Sequence, residues 1–166
     1  MGLSRWLEYA GRLSIGYWAE RYLSECLEIY NDFEKKAAMH AEEGRADKAL
    51  WEANLAGADI RNAEKGYKAA GFLPYALHVP IPPLLLWRPF AGIAYTFAIC
   101  AFEIFDLERR KANFIGQHRE ISESLDFSNP YPFSALMEKR VQEMLKNNHR
   151  YLEKRLFSEK EDTSGT

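Results

Sequence analysis

The side chains that most often carry out chemistry in helical proteins are scattered through this sequence. None of the four histidines lies in an ExxH or HExxH pair, the spacings that place metal ligands on one face of a helix. These histidines are His40, His78, His118 and His149. The patterns GxxxxGK, GxGxxG and GxSxG, which cradle phosphates or expose a nucleophile, are also missing. We therefore expect no metal, no cofactor and no catalytic residues.

Asp106, His118 and Ser122 are the residue types of a nucleophile with its general base, and they fall within one polar stretch. Surface side chains on a solvated helix explain them without a further assumption. His78 has two interpretations: a hydrogen-bonded structural histidine, or a neighbour of a headgroup, quinone or haem. Cys26 and Cys100 lie far apart, and we interpret both as small apolar packing residues.

The segment from Gly71 to Phe105 differs from the rest of the chain because Arg88 and Glu103 are its only charged side chains besides His78. Prolines at positions 74, 80, 82 and 83 remove amide donors from its first half. We predict an extended, polyproline-like strap there. The second half follows Pro89, which is tolerated at a first helical position, and residues 90–102 are apolar on every face of a helix. Such a helix must be buried in protein or in lipid.

The length of this helix favours lipid. Seventeen residues lie between Arg88 and Asp106, which is about 26 Å of helix against a hydrocarbon thickness of about 30 Å. Aromatic and basic side chains flank it, as they do at membrane interfaces. We predict interface anchors at Trp87 and Arg88 on one side and at Arg109, Arg110 and Lys111 on the other. The alternative for the basic cluster is a solvated face of the helix. The basic cluster should lie in the cytoplasm or matrix, and Glu103 should reach polar groups near that surface.

The N-terminal region, residues 1–70, should form helices and an αα-hairpin. The polar face switches near Gly16, so we predict a first helix ending near Ser14 and a second from about Tyr17 to Glu43. Gly44 marks the turn, and Asp47 is the expected N-cap of a helix to Ala70. The small residues Ala53, Ala56, Gly57 and Ala58 would let another helix approach closely.

The C-terminal region is polar and helical. We predict that the chain after residue 70 divides into three segments. Residues 71–105 form the strap and the membrane helix, residues 106–157 form a helical extension and an amphipathic helix, and residues 158–166 form a flexible tail. Ser134 is the expected cap of the last helix. Its apolar stripe comprises Met137, Val141, Met144, Leu145, Leu152 and Leu156. The fold class is therefore all-α, with a helical hairpin, one long apolar helix and a C-terminal amphipathic helix.

These features favour a non-catalytic accessory subunit of a membrane complex. Its partners would be other subunits and the lipid bilayer, and a net charge of -2 argues against nucleic acid. In outline the chain resembles the small accessory subunits of respiratory-chain complexes and ATP synthase, which implies the mitochondrial or a bacterial inner membrane. The alternative is a soluble helical interaction module in which residues 90–102 form a buried central helix.

Overall fold

The computed structural model describes residues 12–71 and 79–163, and for residues 149–163 the backbone alone. The described residues are helical without a strand, which confirms the all-α class. Their helices are α1 (Ile15–Glu42), α2 (Ala46–Ala70), α3 (Ile81–Trp87), α4 (Pro89–Gln117), α5 (Arg119–Ser122) and α6 (Pro132–Thr163). The chain divides into two compact units, residues 1–26 with 62–124 and residues 27–61 with 125–166.

Helices α1 and α2 form the predicted αα-hairpin. Gly44 turns the chain with a φ of 68°, a left-handed conformation that glycine adopts without steric cost. Helix α1 begins at Ile15, close to the predicted start, whereas most of the predicted first helix lies outside the described residues. Helix α2 begins at Ala46, so Asp47 lies in its first turn and is not its cap. The negative charge of Asp47 in the first turn still interacts favourably with the positive end of the helix dipole.

The buried face of α2 consists mainly of small residues: Ala49, Ala53, Ala56 and Gly57, followed by Ile60. Ala53 and Ile60 are fully buried. Three of the four small residues predicted to permit close helix approach therefore do lie in the core, whereas Ala58 is half-buried. Side chains of this size bring helix backbones close together without leaving a cavity.

Helix α3 is a correction to the sequence prediction. The sequence predicts an extended strap through the prolines, but Ile81–Trp87 is helical, with proline within its first two positions. The first amides of a helix have no partner within it, so Pro82 and Pro83 remove no helical hydrogen bond there. The proline cluster therefore starts a helix. The part of the strap that includes His78 lies outside the described residues.

Helix α4 runs without interruption from the apolar region into the polar one, as predicted, over 29 residues. Arg88, with φ of -142° and ψ of 85°, separates it from α3. Helix α3 packs against the start of α4 so closely that a Cβ on Gly92 would lie 2.8 Å from the Leu85 amide nitrogen. The two helices therefore form a tight elbow at Arg88.

In the unit that contains α6, aromatic packing and an ion pair join α6 to α1. Phe133 is fully buried, and its ring centroid lies 6.3 Å from that of Tyr30. Arg140 donates to both carboxylate oxygens of Glu34, from Nε at 3.1 Å and from the terminal nitrogen at 3.3 Å. The two-point contact fixes the rotation of α6 against α1.

Helix α6 begins at Pro132, so Ser134 lies in the first turn and is not the cap. The helix continues to Thr163, which replaces the predicted flexible tail over residues 158–163. Within the predicted stripe Met137 is buried, Val141 and Met144 are half-buried and Leu145 is 49% exposed. The side chains at 152 and 156 lie outside the described set.

Candidate functional site

The apolar half of α4 is the most distinctive surface that the structure describes. Among the described residues, α4 is the one helix long and apolar enough to cross a membrane. Only 17% of its most apolar stretch is buried within the protein. The large apolar side chains exposed on α3 and α4 include Leu85, Leu86, Trp87, Phe90, Ile93, Phe97, Phe102, Ile104 and Phe105. An exposed apolar surface of this kind marks a site of contact with lipid or protein.

The predicted anchors Trp87 and Arg88 lie at one end of this surface, at the elbow between α3 and α4. Trp87 is 86% exposed, and Arg88 is exposed as well. An indole ring and a long guanidinium side chain combine an apolar body with a polar end, which suits the boundary between hydrocarbon and headgroups.

The predicted anchors Arg109, Arg110 and Lys111 lie at the other end of the apolar surface, but the structure gives them different surroundings. Arg109 is half-exposed and donates to Asp106 Oδ1 at 2.9 Å. Arg110 is largely covered and donates from Nε to Asp106 Oδ2 at 2.8 Å and from its terminal nitrogen to Glu20. Lys111 is half-buried. Arg110 therefore holds α4 to α1 in addition to any role at a membrane surface.

A polar junction joins the start of α1 to the middle of α4. The Ser14 hydroxyl accepts a hydrogen bond from the Tyr17 amide at 3.0 Å and donates to Asp106 Oδ2 at 2.7 Å. Glu103 Oε2 accepts a hydrogen bond from the Ile15 amide at 2.8 Å. These contacts satisfy amides at the start of α1 that have no partner within the helix. We call Ser14, Ile15, Glu103, Asp106 and Arg110 the junction.

The start of α1 stabilises the negative charges of the two junction carboxylates. Glu103 and Asp106 are 7% and 4% exposed, and both carboxylates lie at the positive end of the α1 dipole. A carboxylate in that position typically gains about 0.3–1 kcal/mol, and about 2 kcal/mol where it is partly buried. Glu103 Oε1 is buried and has no hydrogen-bond partner among the described residues. Glu103 is thus bound through one oxygen only, whereas Asp106 uses both.

Gly16 sets the distance between the two helices at the junction. A Cβ at this position would lie 2.7 Å from Asp106 Oδ2 and 3.0 Å from the backbone carbon of Asp106 and the amide nitrogen of Leu107. Two of these three atoms belong to backbone, so they cannot rotate away. The short Ser14–Asp106 and Ile15–Glu103 hydrogen bonds therefore depend on a residue without a side chain at 16.

The other candidate residues do not come together in the described part of the chain. Ser122 donates from its hydroxyl to the His118 carbonyl at 2.7 Å, and Asp106 is engaged in the junction. No group of three or more His, Cys, Asp or Glu side chains lies close enough to hold a metal within the described residues. Cys26 is buried as predicted, and burial raises the pKa of its thiol to about 12. Cys100, the other cysteine interpreted as a packing residue, is exposed on α4.

Sequence reasoning found the apolar helix but missed most of the junction. It placed Glu103 near polar groups, and the Ile15 amide is such a group. It gave no partner to Ser14, Asp106 or Arg110. The available signal was the spacing of Glu103, Asp106 and Arg110, because residues three and four apart share one face of a helix. No protein family, curated protein or solved structure compared with this chain matches it.

Proposed function

We propose that this protein is a non-catalytic, membrane-attached accessory subunit of a larger protein complex. The observation that carries the proposal is the exposure of the apolar half of α4, between Trp87 and Arg88 at one end and the junction at the other. Burying this surface in lipid removes about 25 cal/mol of unfavourable hydration per Å² of apolar area. The helical arms on either side of this segment would bind the other subunits.

The alternative is a soluble module with α4 as its buried central helix. It requires the apolar side chains of α4 to be covered by the rest of the protein, and most of them are exposed. A central helix would have most of its apolar residues covered, whereas Phe90 is 86% exposed and Phe97 is 72% exposed. Soluble monomers rarely leave so many large apolar side chains together on their surface. The exposure therefore favours a bilayer, or another subunit inside one.

The finer part of the proposal concerns the type of complex. The combination of one apolar helix with helical arms resembles, in outline, the accessory subunits of respiratory-chain complexes and ATP synthase. By that analogy of architecture alone, the membrane would be the mitochondrial inner membrane or a bacterial inner membrane. Affinity purification in a mild detergent, followed by identification of the proteins that copurify, tests this assignment. Recovery of the chain without membrane-protein partners would contradict it.

Ala98→Arg tests membrane insertion because Ala98 lies midway along the apolar half of α4 and is exposed. In a bilayer an arginine there costs about 2.5–3.5 kcal/mol, so the chain should move to the soluble fraction or be degraded. In water the same exposed substitution should change stability by less than about 0.5 kcal/mol. The matched control is Ala112→Arg, an exposed position in the polar half of the same helix.

Resistance to carbonate washing is the measurement. We expect the parent chain and Ala112→Arg to remain with the membrane after the wash and to require detergent for release, whereas Ala98→Arg should be lost. If carbonate releases the parent chain, or if both variants behave identically, the proposal is wrong.

A further inference from the structure

We infer that α3 is a second membrane-embedded element, whose apolar side chains contact lipid acyl chains in the leaflet that the start of α4 enters. This inference rests on the proposed function and extends the lipid-contacting surface beyond α4. Helix α3 carries no charged side chain, and none of its residues is buried within the protein. Leu86, for example, is 89% exposed. An apolar helix without a buried face needs another apolar surface to cover it.

The first step concerns the level of α3 along α4. Leu85 lies against Gly92, since a Cβ on that glycine would meet the Leu85 amide nitrogen at 2.8 Å and its side chain at 2.9 Å. Gly92 is the fourth residue of α4, about 6 Å from the elbow at Arg88 at 1.5 Å per residue. The Leu85 end of α3 therefore lies beside the first turn of α4. Where that turn enters hydrocarbon, this end of α3 enters it too.

The second step concerns backbone amides, which decide whether a helix start can enter hydrocarbon. A helix start ordinarily leaves four amides unpaired, and hydrocarbon offers no partner for them. In α3 two of these four positions are Pro82 and Pro83, which have no amide hydrogen. The Leu84 amide donates to the Pro80 carbonyl at 3.1 Å, so at most the Ile81 amide remains. The start of α3 therefore carries little of the polar cost that keeps helix ends out of lipid.

The elbow between α3 and α4 pairs its amides in the same way. The Arg88 amide donates to the Leu84 carbonyl at 2.7 Å, and the Gly92 amide donates to the Arg88 carbonyl at 3.0 Å. Position 89 is a proline and contributes no donor. The chain therefore turns from one helix into the next with few unpaired donors, as a turn at the edge of the hydrocarbon requires.

The side chains of α3 favour lipid over a protein partner. A protein interface carries about one hydrogen bond per 100–200 Å², and polar side chains supply part of them. The indole N–H of Trp87 is the single side-chain hydrogen-bonding group within α3. Arg88 is exposed at the elbow, where its guanidinium can reach lipid phosphates while the apolar helix lies among acyl chains. Acyl chains ask for no hydrogen bonds, and α3 offers almost none.

Site-directed spin labelling of the full chain, in vesicles of phosphatidylcholine and phosphatidylglycerol, tests the inference. Single labels are placed by Leu86→Cys in α3, Phe97→Cys in the apolar half of α4 and Asn113→Cys in its polar half, all exposed positions. The background chain carries Cys100→Ala and keeps Cys26, which is fully buried. Power saturation measures how often each label collides with oxygen, which concentrates in hydrocarbon, and with a water-soluble nickel chelate.

We expect the label at 86 to behave like the label at 97, with frequent oxygen collisions and with nickel collisions several-fold rarer than at 113. Frequent nickel collisions at 86 would overturn the inference because α3 would then lie in water. Rare collisions with both reagents would overturn it because protein would then cover α3. If the label at 97 itself collides freely with nickel, the membrane proposal fails and this inference fails with it, so the two failures are distinguishable.

Photocrosslinking of the unmodified chain is a second measurement, independent of any effect of the substitutions on folding. A phosphatidylcholine that carries a diazirine on its acyl chain is incorporated into the same vesicles, and the adducts are mapped by mass spectrometry. Adducts should fall on residues 84–87 as well as on the apolar half of α4. Adducts on α4 alone would refute the contact of α3 with acyl chains and leave the membrane proposal in place.

Discussion

Gly16→Ala should destabilise the protein although alanine is the better helix former. An alanine inside a helix ordinarily gains about 0.5–1 kcal/mol over glycine. At position 16 the new Cβ would meet backbone atoms of Asp106 and Leu107 at 3.0 Å, whereas ordinary contacts begin at 3.4 Å. Helix α1 must therefore move away from α4, and the Ser14–Asp106 and Ile15–Glu103 hydrogen bonds must lengthen with it.

The expected net loss follows from these two opposing effects. Overpacking of a close contact costs about 1–3 kcal/mol, which exceeds the gain in helix propensity over most of that range. Gly66→Ala is the matched control, because Gly66 is also within a helix and a Cβ there would meet no described atom within 4 Å. That variant should gain about 0.5–1 kcal/mol.

Thermal unfolding of the full chain in mild detergent, followed by far-UV circular dichroism, measures the difference. For a protein of this size each kcal/mol shifts Tm by about 2–4 °C, so the two variants should move in opposite directions and separate by several degrees. If Gly16→Ala raised Tm as much as Gly66→Ala, the close approach at the junction would not constrain position 16, and the reasoning would be refuted.

Three further substitutions test the ion pairs and the half-buried phenol of Tyr30. Arg110→Gln should lower the free energy of unfolding by about 1–3 kcal/mol because it leaves the carboxylates of Asp106 and Glu20 with fewer hydrogen-bond donors. Arg109→Gln, at a half-exposed side chain, should lower it by no more than about 1 kcal/mol. Equal losses in denaturant titrations would contradict the stronger role given to Arg110. Desolvation and the hydrogen bond to Glu34 raise the pKa of Tyr30 to about 12. The folded state therefore holds this proton more tightly, and stability should fall as pH rises from about 10 towards 12. Tyr30→Phe should lessen that fall in stability measured against pH, and an unchanged pH profile would refute the linkage.

The apolar helix could be predicted from sequence because its signal is local. Between Pro89 and Phe102 no charged side chain interrupts the run, and a starting proline fixes where the helix begins. The same locality explains the error at α3. Proline disrupts a helix only in its interior, but Pro82 and Pro83 fall in the first turn, where helical amides have no partner in any case.

The junction could not be predicted because its members are distant in sequence. Ser14 and Asp106 are 92 residues apart, and their pairing depends on the angle at which α1 meets α4. That angle depends in turn on Gly16, whose role appears only when the neighbouring backbone is in place. Sequence patterns report which face of a helix is apolar, but they do not report which helix covers it.

If α4 spans a bilayer, as we propose, its continuity from apolar to polar residues links membrane thickness to the position of the junction. The apolar length of about 26 Å is slightly shorter than a typical hydrocarbon layer of about 30 Å, so tilting would increase the mismatch. The helix should therefore stand nearly upright and favour thin bilayers. Since α4 continues without a proline into the residues that hold Ser14, Ile15 and Glu20, the upright orientation also fixes the angle at which α1 leaves the membrane surface.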